Sequence, residues 1–286
     1  MTLYEEVRAA LRELNFRPSK RRGQNFLIHQ RVIDAIIRLL DLSPADEVVE
    51  IGPGFGFLTR YLLERAARVW AVEVDPALVE RLRASRFGAD PKLRLICGDI
   101  LKVPLAEMLP AKKLKLAGNL PYSISTAVLF RIFEWRVHFS ALVLMVQKEV
   151  ADRIAAAPGT KDYGTLSIWS QVHGRITDKI SVSPEAFFPR PKVRSTVLKI
   201  ELFSEPLATL AEMPVLRGLV RAAFGQRRKT LANALAGWLK SDGSEIETLL
   251  RSQGIDPRRR GETLSVDEYI KLARAARDQS AVTADP

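Results

Sequence analysis

Val48-Val49-Glu50-Ile51-Gly52-Pro53-Gly54-Phe55-Gly56 is the stretch that decides the fold. Val48 to Ile51 reads as a short apolar strand, and Leu58 to Arg65 reads as a helix. Between them stand three glycines at alternate positions. Glycine lets the backbone turn tightly and lets a ligand lie against the main chain. Glu73 ends the next strand, Arg68 to Val74, at the spacing of about 20 residues that suits an acid binding ribose hydroxyls. The Gly-x-Gly-x-Gly pattern differs from the dinucleotide fingerprint Gly-x-Gly-x-x-Gly. No Gly-Lys-Ser/Thr occurs, which excludes a Walker-type phosphate loop.

Working outward, strands and helices alternate. A helix is expected from Gln30 to Leu40 and another from Pro76 to Ala84, capped by Asp75. Further strands are Leu93 to Cys97, Leu114 to Ala117 and Ala141 to Val146, with a helix over Lys148 to Ala156. That alternation predicts a parallel sheet covered on both faces, with ligands at the C-terminal strand ends. After a helix at Leu166 to Val172 come two strands, Arg175 to Val182 and Ser195 to Leu202. Only the loop around Phe187-Phe188-Pro189-Arg190-Pro191 separates them, so an antiparallel hairpin on the sheet edge is expected. Past Phe203 to Pro214 no strand signal remains. Helices are expected near Val215 to Leu239, Ser244 to Gln253 and Val266 to Arg277, with a disordered tail from Gln279. The fold class is α/β. Residues 1–205 form a ligand-binding catalytic domain behind a basic lead-in, Arg8 to Arg22. Residues 206–286 form a small all-helical domain.

The chain has 286 residues and a net charge of +11, which suggests an anionic partner, with nucleic acid ahead of an acidic membrane surface. One cysteine, Cys97, rules out an intramolecular disulfide and a cysteine zinc cluster. It is expected to be buried in its strand. Three scattered histidines, His29, His138 and His173, argue against a metal site. No apolar run approaches a membrane span, so a cytoplasmic protein is expected.

Two more strand ends carry polar groups. Gly98-Asp99 follows the third strand. Asp99 there suits the amine of an adenine, or is simply a turn residue. Asn119-Leu120-Pro121-Tyr122 follows the fourth. The Asn119 side-chain oxygen and the Leu120 carbonyl can accept the two N–H bonds of a base amine. Pro121 biases Leu120 to an extended conformation, and Tyr122 can stack on the ring. The same four residues also read as an ordinary loop before a helix.

Basic residues cluster at Arg17, Lys20, Arg21 and Arg22, at Arg217, Arg221, Arg227, Arg228 and Lys229, and at Arg258 to Arg260. No acid stands within any of these groups, which favours phosphate binding over a solvated face. Phe187 and Phe188 suit stacking on RNA bases and core packing equally.

Together these segments resemble the S-adenosylmethionine-dependent rRNA adenine N6-dimethyltransferases, closest to the bacterial small-subunit branch. The resemblance runs from about Arg17 to Ala275. It rests on Gly23-Gln24-Asn25-Phe26-Leu27, the Gly52 loop, Glu73, Asp99 and Asn119-Leu120-Pro121-Tyr122. It rests also on Gln147-Lys148-Glu149-Val150, Tyr163-Gly164-Thr165-Leu166-Ser167, Phe188-Pro189-Arg190-Pro191-Lys192-Val193 and Ala223 to Leu231. It implies a Rossmann-like class I methyltransferase with a seven-stranded sheet. Asn25, Leu27, Gly52, Glu73, Asp99 and Asn119 would bind S-adenosylmethionine, and Asn119 to Tyr122 would be catalytic. Arg21, Arg22, Phe188, Arg221, Arg227, Arg228 and Lys229 would contact RNA. The partner would be 16S rRNA in the small ribosomal subunit or its precursor, dimethylated at two adjacent adenosines near its 3′ end by a monomer that needs no metal and no membrane. Phe57, Arg194 and Thr196 depart from the family pattern. Two alternatives stay open. One is the large-subunit rRNA dimethylase, against which the Ala223 to Leu231 segment argues. The other is a non-catalytic assembly checkpoint or nucleic-acid-binding factor, against which Asn119 and Glu73 argue.

Overall fold

The computed structural model describes residues 2–13, 15–19, 23–239 and 242–282. In chain order the elements begin with helix α1 (Leu3–Glu13), strand β1 (Phe26–Leu27), α2 (Gln30–Leu40), β2 (Glu47–Ile51), α3 (Thr59–Arg65), β3 (Arg68–Glu73) and α4 (Pro76–Arg83). Next come β4 (Leu93–Cys97), α5 (Leu105–Met108), β5 (Leu114–Asn119), α6 (Ser125–Glu134), β6 (Phe139–Gln147), α7 (Lys148–Ile154), α8 (Thr165–His173), β7 (Gly174–Val182), β8 (Phe187–Phe188) and β9 (Ser195–Leu202). Helices α9 (Met213–Gly225), α10 (Leu231–Leu239), α11 (Gly243–Ser252) and α12 (Val266–Val282) complete the chain.

Seven strands form one sheet in the order β4-β3-β2-β5-β6-β9-β7. β2 pairs in parallel with β3 and β5, β3 with β4, and β5 with β6. β9 runs antiparallel to β6, Leu144 opposite Leu198. The inner strands read as nearly unbroken apolar runs because helices cover both faces. All five residues of β2 are buried, as are Leu142 to Val146 of β6. From β2 the chain winds outward through β3 and β4, then returns to start β5 on the other side. The sheet order reverses between β2 and β5, and ligands bind in the crevice at such a reversal.

The chain divides into two compact units. One comprises Met1–Ala151 and Arg175–Leu202, and holds the sheet. The other comprises Asp152–Gly174 and Phe203–Pro286. Residues 152–174 therefore belong with the helices, although they lie between sheet strands in sequence and were expected within a domain ending at residue 205. The reason is packing: Tyr163 meets Phe224 edge to face at 6.1 Å, and α8 packs on α9 and α12.

Three further expectations are corrected. The lead-in contains an amphipathic helix, α1, with Leu3, Val7 and Ala10 buried and ion pairs from Glu6 to Arg60 and Glu13 to Arg81. Cys97 is exposed, since β4 is an edge strand and its last residue has no covering layer. The last helix continues through Gln279 to Val282, where a tail was expected. Among the described residues no helix is long and apolar enough to cross a membrane.

Candidate active site

At the end of β2 the backbone enters the left-handed region, with φ +68° at Gly52 and +57° at Gly54. Side chains are strained there, and at Gly54 a Cβ would also lie 3.1 Å from the Phe26 ring. The loop is pinned from the neighbouring strand. The Gly52 N–H donates to the Val72 carbonyl at 2.9 Å, and the Gly54 N–H donates to Glu73 Oε2 at 3.1 Å. Glu73 Oε1 accepts the Asp75 N–H at 2.9 Å. Glu73 thus shapes the glycine loop as well as facing the space beside it. Burial raises its pKa, and the backbone donors of Asp75 and Gly54 oppose that rise.

Glu50, in β2, is 2% exposed. Its Oε2 accepts from Thr59 Oγ1 at 2.7 Å. Burial pushes its pKa up to about 8, the Thr59 hydrogen bond opposes the shift, and the nearby Glu73 charge adds to it. Asp75 caps α4 through the Ala77 N–H, as the sequence suggested, and accepts from Gln24 Nε2 at 2.9 Å. Gln24 Oε1 in turn takes the Ser19 N–H at 2.7 Å.

Asp99 Oδ1 accepts the Leu101 N–H at 3.0 Å, so the turn reading of this residue holds for one carboxylate oxygen. Asn119 Nδ2 donates to the Asn25 carbonyl at 2.8 Å. That bond fixes the amide and commits its nitrogen, leaving Oδ1 as the acceptor. The Leu120 N–H is held by the Met145 carbonyl at 3.0 Å, while no described residue donates to the Leu120 carbonyl. The Leu120 side chain is buried. Tyr122 is half-buried and its hydroxyl is 2.7 Å from Ser195 Oγ, which pins the ring.

These strand ends enclose a cavity of about 270 Å³. Asn25, Leu27, Gly52, Glu73, Asp99, Asn119 and Pro121 all line it, and Leu120 and Tyr122 do not. Among the described residues its lining carries three carboxyl groups, from Glu50, Glu73 and Asp99, and no lysine, arginine or histidine. An acidic hollow in a chain of net charge +11 calls for a cationic ligand. A glycine edge, a buried carboxylate at the end of β3 and apolar walls from Ile51, Leu78 and Ile100 suit a nucleoside. A nucleoside sulfonium such as S-adenosylmethionine fits both demands. Gly52 and Gly54 would give it room, Glu73 would hold ribose hydroxyls, and the second Asp99 oxygen would face the base amine. Among the described residues no group of three or more His, Cys, Asp or Glu side chains is placed to hold a metal ion.

The expected RNA-binding residues divide. Arg21 and Arg22, with Lys20, lie outside the described residues. Phe188 pairs with Phe26 across β1 and β8 and meets Tyr4 edge to face at 5.8 Å, which favours packing over stacking on a base. Arg221, Arg228 and Lys229 are exposed. Arg227 is also exposed but already engaged, bonding Glu262 at 3.0 Å and the Tyr163 carbonyl at 3.2 Å. In the third basic group Arg258 pairs with Asp256 and Arg259 with Glu268. Acids distant in sequence or just outside the run supply these partners. Of the departures from the pattern, Thr196 is buried opposite Val146 within the sheet, whereas Arg194 is exposed and donates to Ser181 Oγ at 3.2 Å, its carbonyl accepting the Lys148 N–H. Phe57 lines the cavity beside Phe55.

Sequence reading missed Glu50, Gln24 and Met145 as lining residues. Glu50 sits in the quoted fold-deciding stretch, where a charged residue inside an apolar strand was the available signal.

A ribosomal RNA small subunit methyltransferase A from Geobacter metallireducens is 45% identical over 270 residues, covering 93% of this chain and 98% of the relative. A dimethyladenosine transferase from Plasmodium falciparum has a similar structure, with a TM-score of 0.75 and 25% identity over 86% of this chain and 95% of that one. The 23S rRNA methyltransferase ErmE is similar with a TM-score of 0.66 and 25% identity, over 88% and 99% of the two chains. With a sequence match to the family pattern from residue 15 to 278, this chain belongs to the ribosomal RNA adenine dimethylase family.

Proposed function

We propose that the protein transfers methyl groups from S-adenosylmethionine to the N6 amines of two adjacent adenosines near the 3′ end of 16S rRNA, twice each, in the small ribosomal subunit or its precursor. The observation that carries the reading is the orientation of Asn119. Its nitrogen is held by the Asn25 carbonyl and the residue lines an acidic cavity, which supports Oδ1 as the acceptor for the substrate amine. The small-subunit assignment rests on the name borne by the Geobacter relative.

An adenine amine is a poor nucleophile because its lone pair is delocalised into the ring. Asn119 Oδ1 and the Leu120 carbonyl accept its two N–H bonds and draw the nitrogen toward tetrahedral geometry. S-adenosylmethionine supplies the electrophilic methyl group on a sulfonium. Catalysis is then positioning and hydrogen-bond acceptance, and the proton leaves the alkylated amine to water. No side chain of the chain is needed as a strong base. The target adenine must be unpaired or flipped out of its helix to reach the rim. Tyr122, its ring pinned through Ser195, offers a face for that base. Arg221, Arg228 and Lys229 are the exposed cations available to phosphates. Such an enzyme works where ribosomes assemble, in the cytoplasm.

The test is label transfer from methyl-labelled S-adenosylmethionine to unmodified small-subunit RNA, with Asn119→Ala as control. Label on adenine N6 with wild type and its near-loss with the variant are expected. Equal labelling by both would refute the assigned role of Asn119, and no labelling by either would refute the activity.

A further inference from the structure

Glu50 is a group that the proposed chemistry does not use. It lies in the middle of the sheet, 2% exposed, and yet lines the cavity. Thr59, from α3, satisfies Oε2, and no described residue donates to Oε1. A carboxylate so enclosed has little water to stabilise its charge.

The polar groups that face it from the surrounding elements carry no compensating charge. Glu73 comes from β3, with Asp75 just beyond it. Asp99 comes from the end of β4 and Asn119 from the end of β5. Gln24 and Asn25 close the cavity on the side that leads into β1, and Gln24 is spent on Asp75. Among the described residues every ionisable group lining the cavity is an acid, and the Glu73 charge opposes a negative charge on Glu50. The ligand-free site therefore keeps Glu50 protonated at neutral pH, in agreement with its pKa of about 8. The one change that reverses this balance is arrival of a positive charge in the cavity.

We infer that Glu50 is the residue by which the cavity distinguishes a cationic ligand from its neutral counterpart: the cation's entry ionises the Glu50 carboxyl, and the proton passes to solvent. This rests on the reading of the site as an S-adenosylmethionine pocket. The sulfonium substrate and the thioether product, S-adenosylhomocysteine, differ by the transferred methyl group and the positive charge it carries away. The substrate brings its charge to a carboxyl that can answer it. The product does not, so it is held less tightly and leaves more readily.

The experiment is calorimetric titration of S-adenosylmethionine and of S-adenosylhomocysteine into the full chain, in phosphate and in Tris at pH 7. The two buffers differ in ionisation enthalpy, so the difference in heat counts protons. Wild type should release up to about one proton more with the sulfonium than with the thioether. Glu50→Gln should abolish that excess, and protons from the ligand's own amine are common to both proteins and cancel. The wild-type protein also supplies an independent arm. From pH 6 to 8 its affinity for the sulfonium should rise, relative to that for the thioether, by up to about tenfold per pH unit. Equal proton release for the two ligands, parallel pH profiles, or an excess retained by Glu50→Gln would overturn the inference while leaving the cofactor site intact. Failure of the sulfonium to bind at all would overturn both.

Discussion

Glu73→Ala tests whether the carboxylate at the end of β3 builds the site or only contacts its ligand. In the folded chain both oxygens are occupied by backbone donors, the Gly54 N–H at 3.1 Å and the Asp75 N–H at 2.9 Å. Glu73 is 5% exposed, so alanine leaves two N–H groups with little access to water. Hydrogen bonds to a charged group contribute about 1.5–3 kcal/mol each. Removal of a carboxylate whose pKa burial has raised gives part of that back. The net expected loss is about 2–4 kcal/mol of stability. For a chain of this size that is a fall of roughly 3–7 °C in Tm. Binding of S-adenosylmethionine should weaken by a further 1–3 kcal/mol or so, about 5- to 150-fold in Kd. Glu73→Gln keeps one acceptor and should fall between the two proteins in both measurements. Thermal denaturation followed by calorimetric titration of the folded variant separates the effects. Unchanged Tm would show that the glycine loop does not depend on Glu73. Unchanged affinity would remove Glu73 from the ligand site.

Three other outcomes follow from named contacts. Asn119→Ala removes the oriented acceptor and should lower single-turnover methylation roughly 10²- to 10³-fold, the scale seen when one preorganised polar partner is lost, while RNA binding in a filter assay persists; normal turnover would contradict the mechanism. Arg228→Ala and Lys229→Ala should each reduce the salt slope of RNA binding by about 1 with Tm unchanged, whereas Arg227→Ala should lower Tm because it releases Glu262 and the Tyr163 carbonyl; an equal salt effect and no Tm change at Arg227 would overturn that distinction. The ligand-free protein should lose stability as pH rises from the ordinary carboxylate range through about 8, because Glu50 ionises in the unfolded chain near 4.5 and in the folded chain only near 8. The loss is on the order of a few kcal/mol, and Glu50→Gln should flatten the slope of Tm against pH; a slope that survives the substitution would show that other groups cause it.

The sheet was legible because its signals are local. β4 and β9 carry the bounds read from sequence, and α2 does too, since β-branched runs and helical spacing are written in consecutive residues. The convergence of Gly52, Glu73, Asp99 and Asn119 on one cavity was legible for the same reason: they sit at strand ends, and topology gathers strand ends. What stayed hidden depends on distance in sequence. Nothing near Asn119 announces that Asn25 will take its amide nitrogen. Nothing near Arg227 or Arg259 announces Glu262 or Glu268, so charge runs looked freer than they are. Cys97 looked buried because edge position is a property of the sheet and not of the strand. α1 was missed because charged residues fill its outer face, although Leu3, Val7 and Ala10 recur at helical spacing. The helical unit claimed residues 152–174 through aromatic contacts that no boundary composition marks.

The most direct test of the whole account is mass-spectrometric mapping of modified nucleosides after purified protein and S-adenosylmethionine are incubated in parallel with unmodified small and large ribosomal subunits. The account predicts N6,N6-dimethyladenosine at two adjacent positions near the 3′ end of 16S rRNA and none on the large subunit. Modification of large-subunit RNA in its place, or of neither, would contradict it.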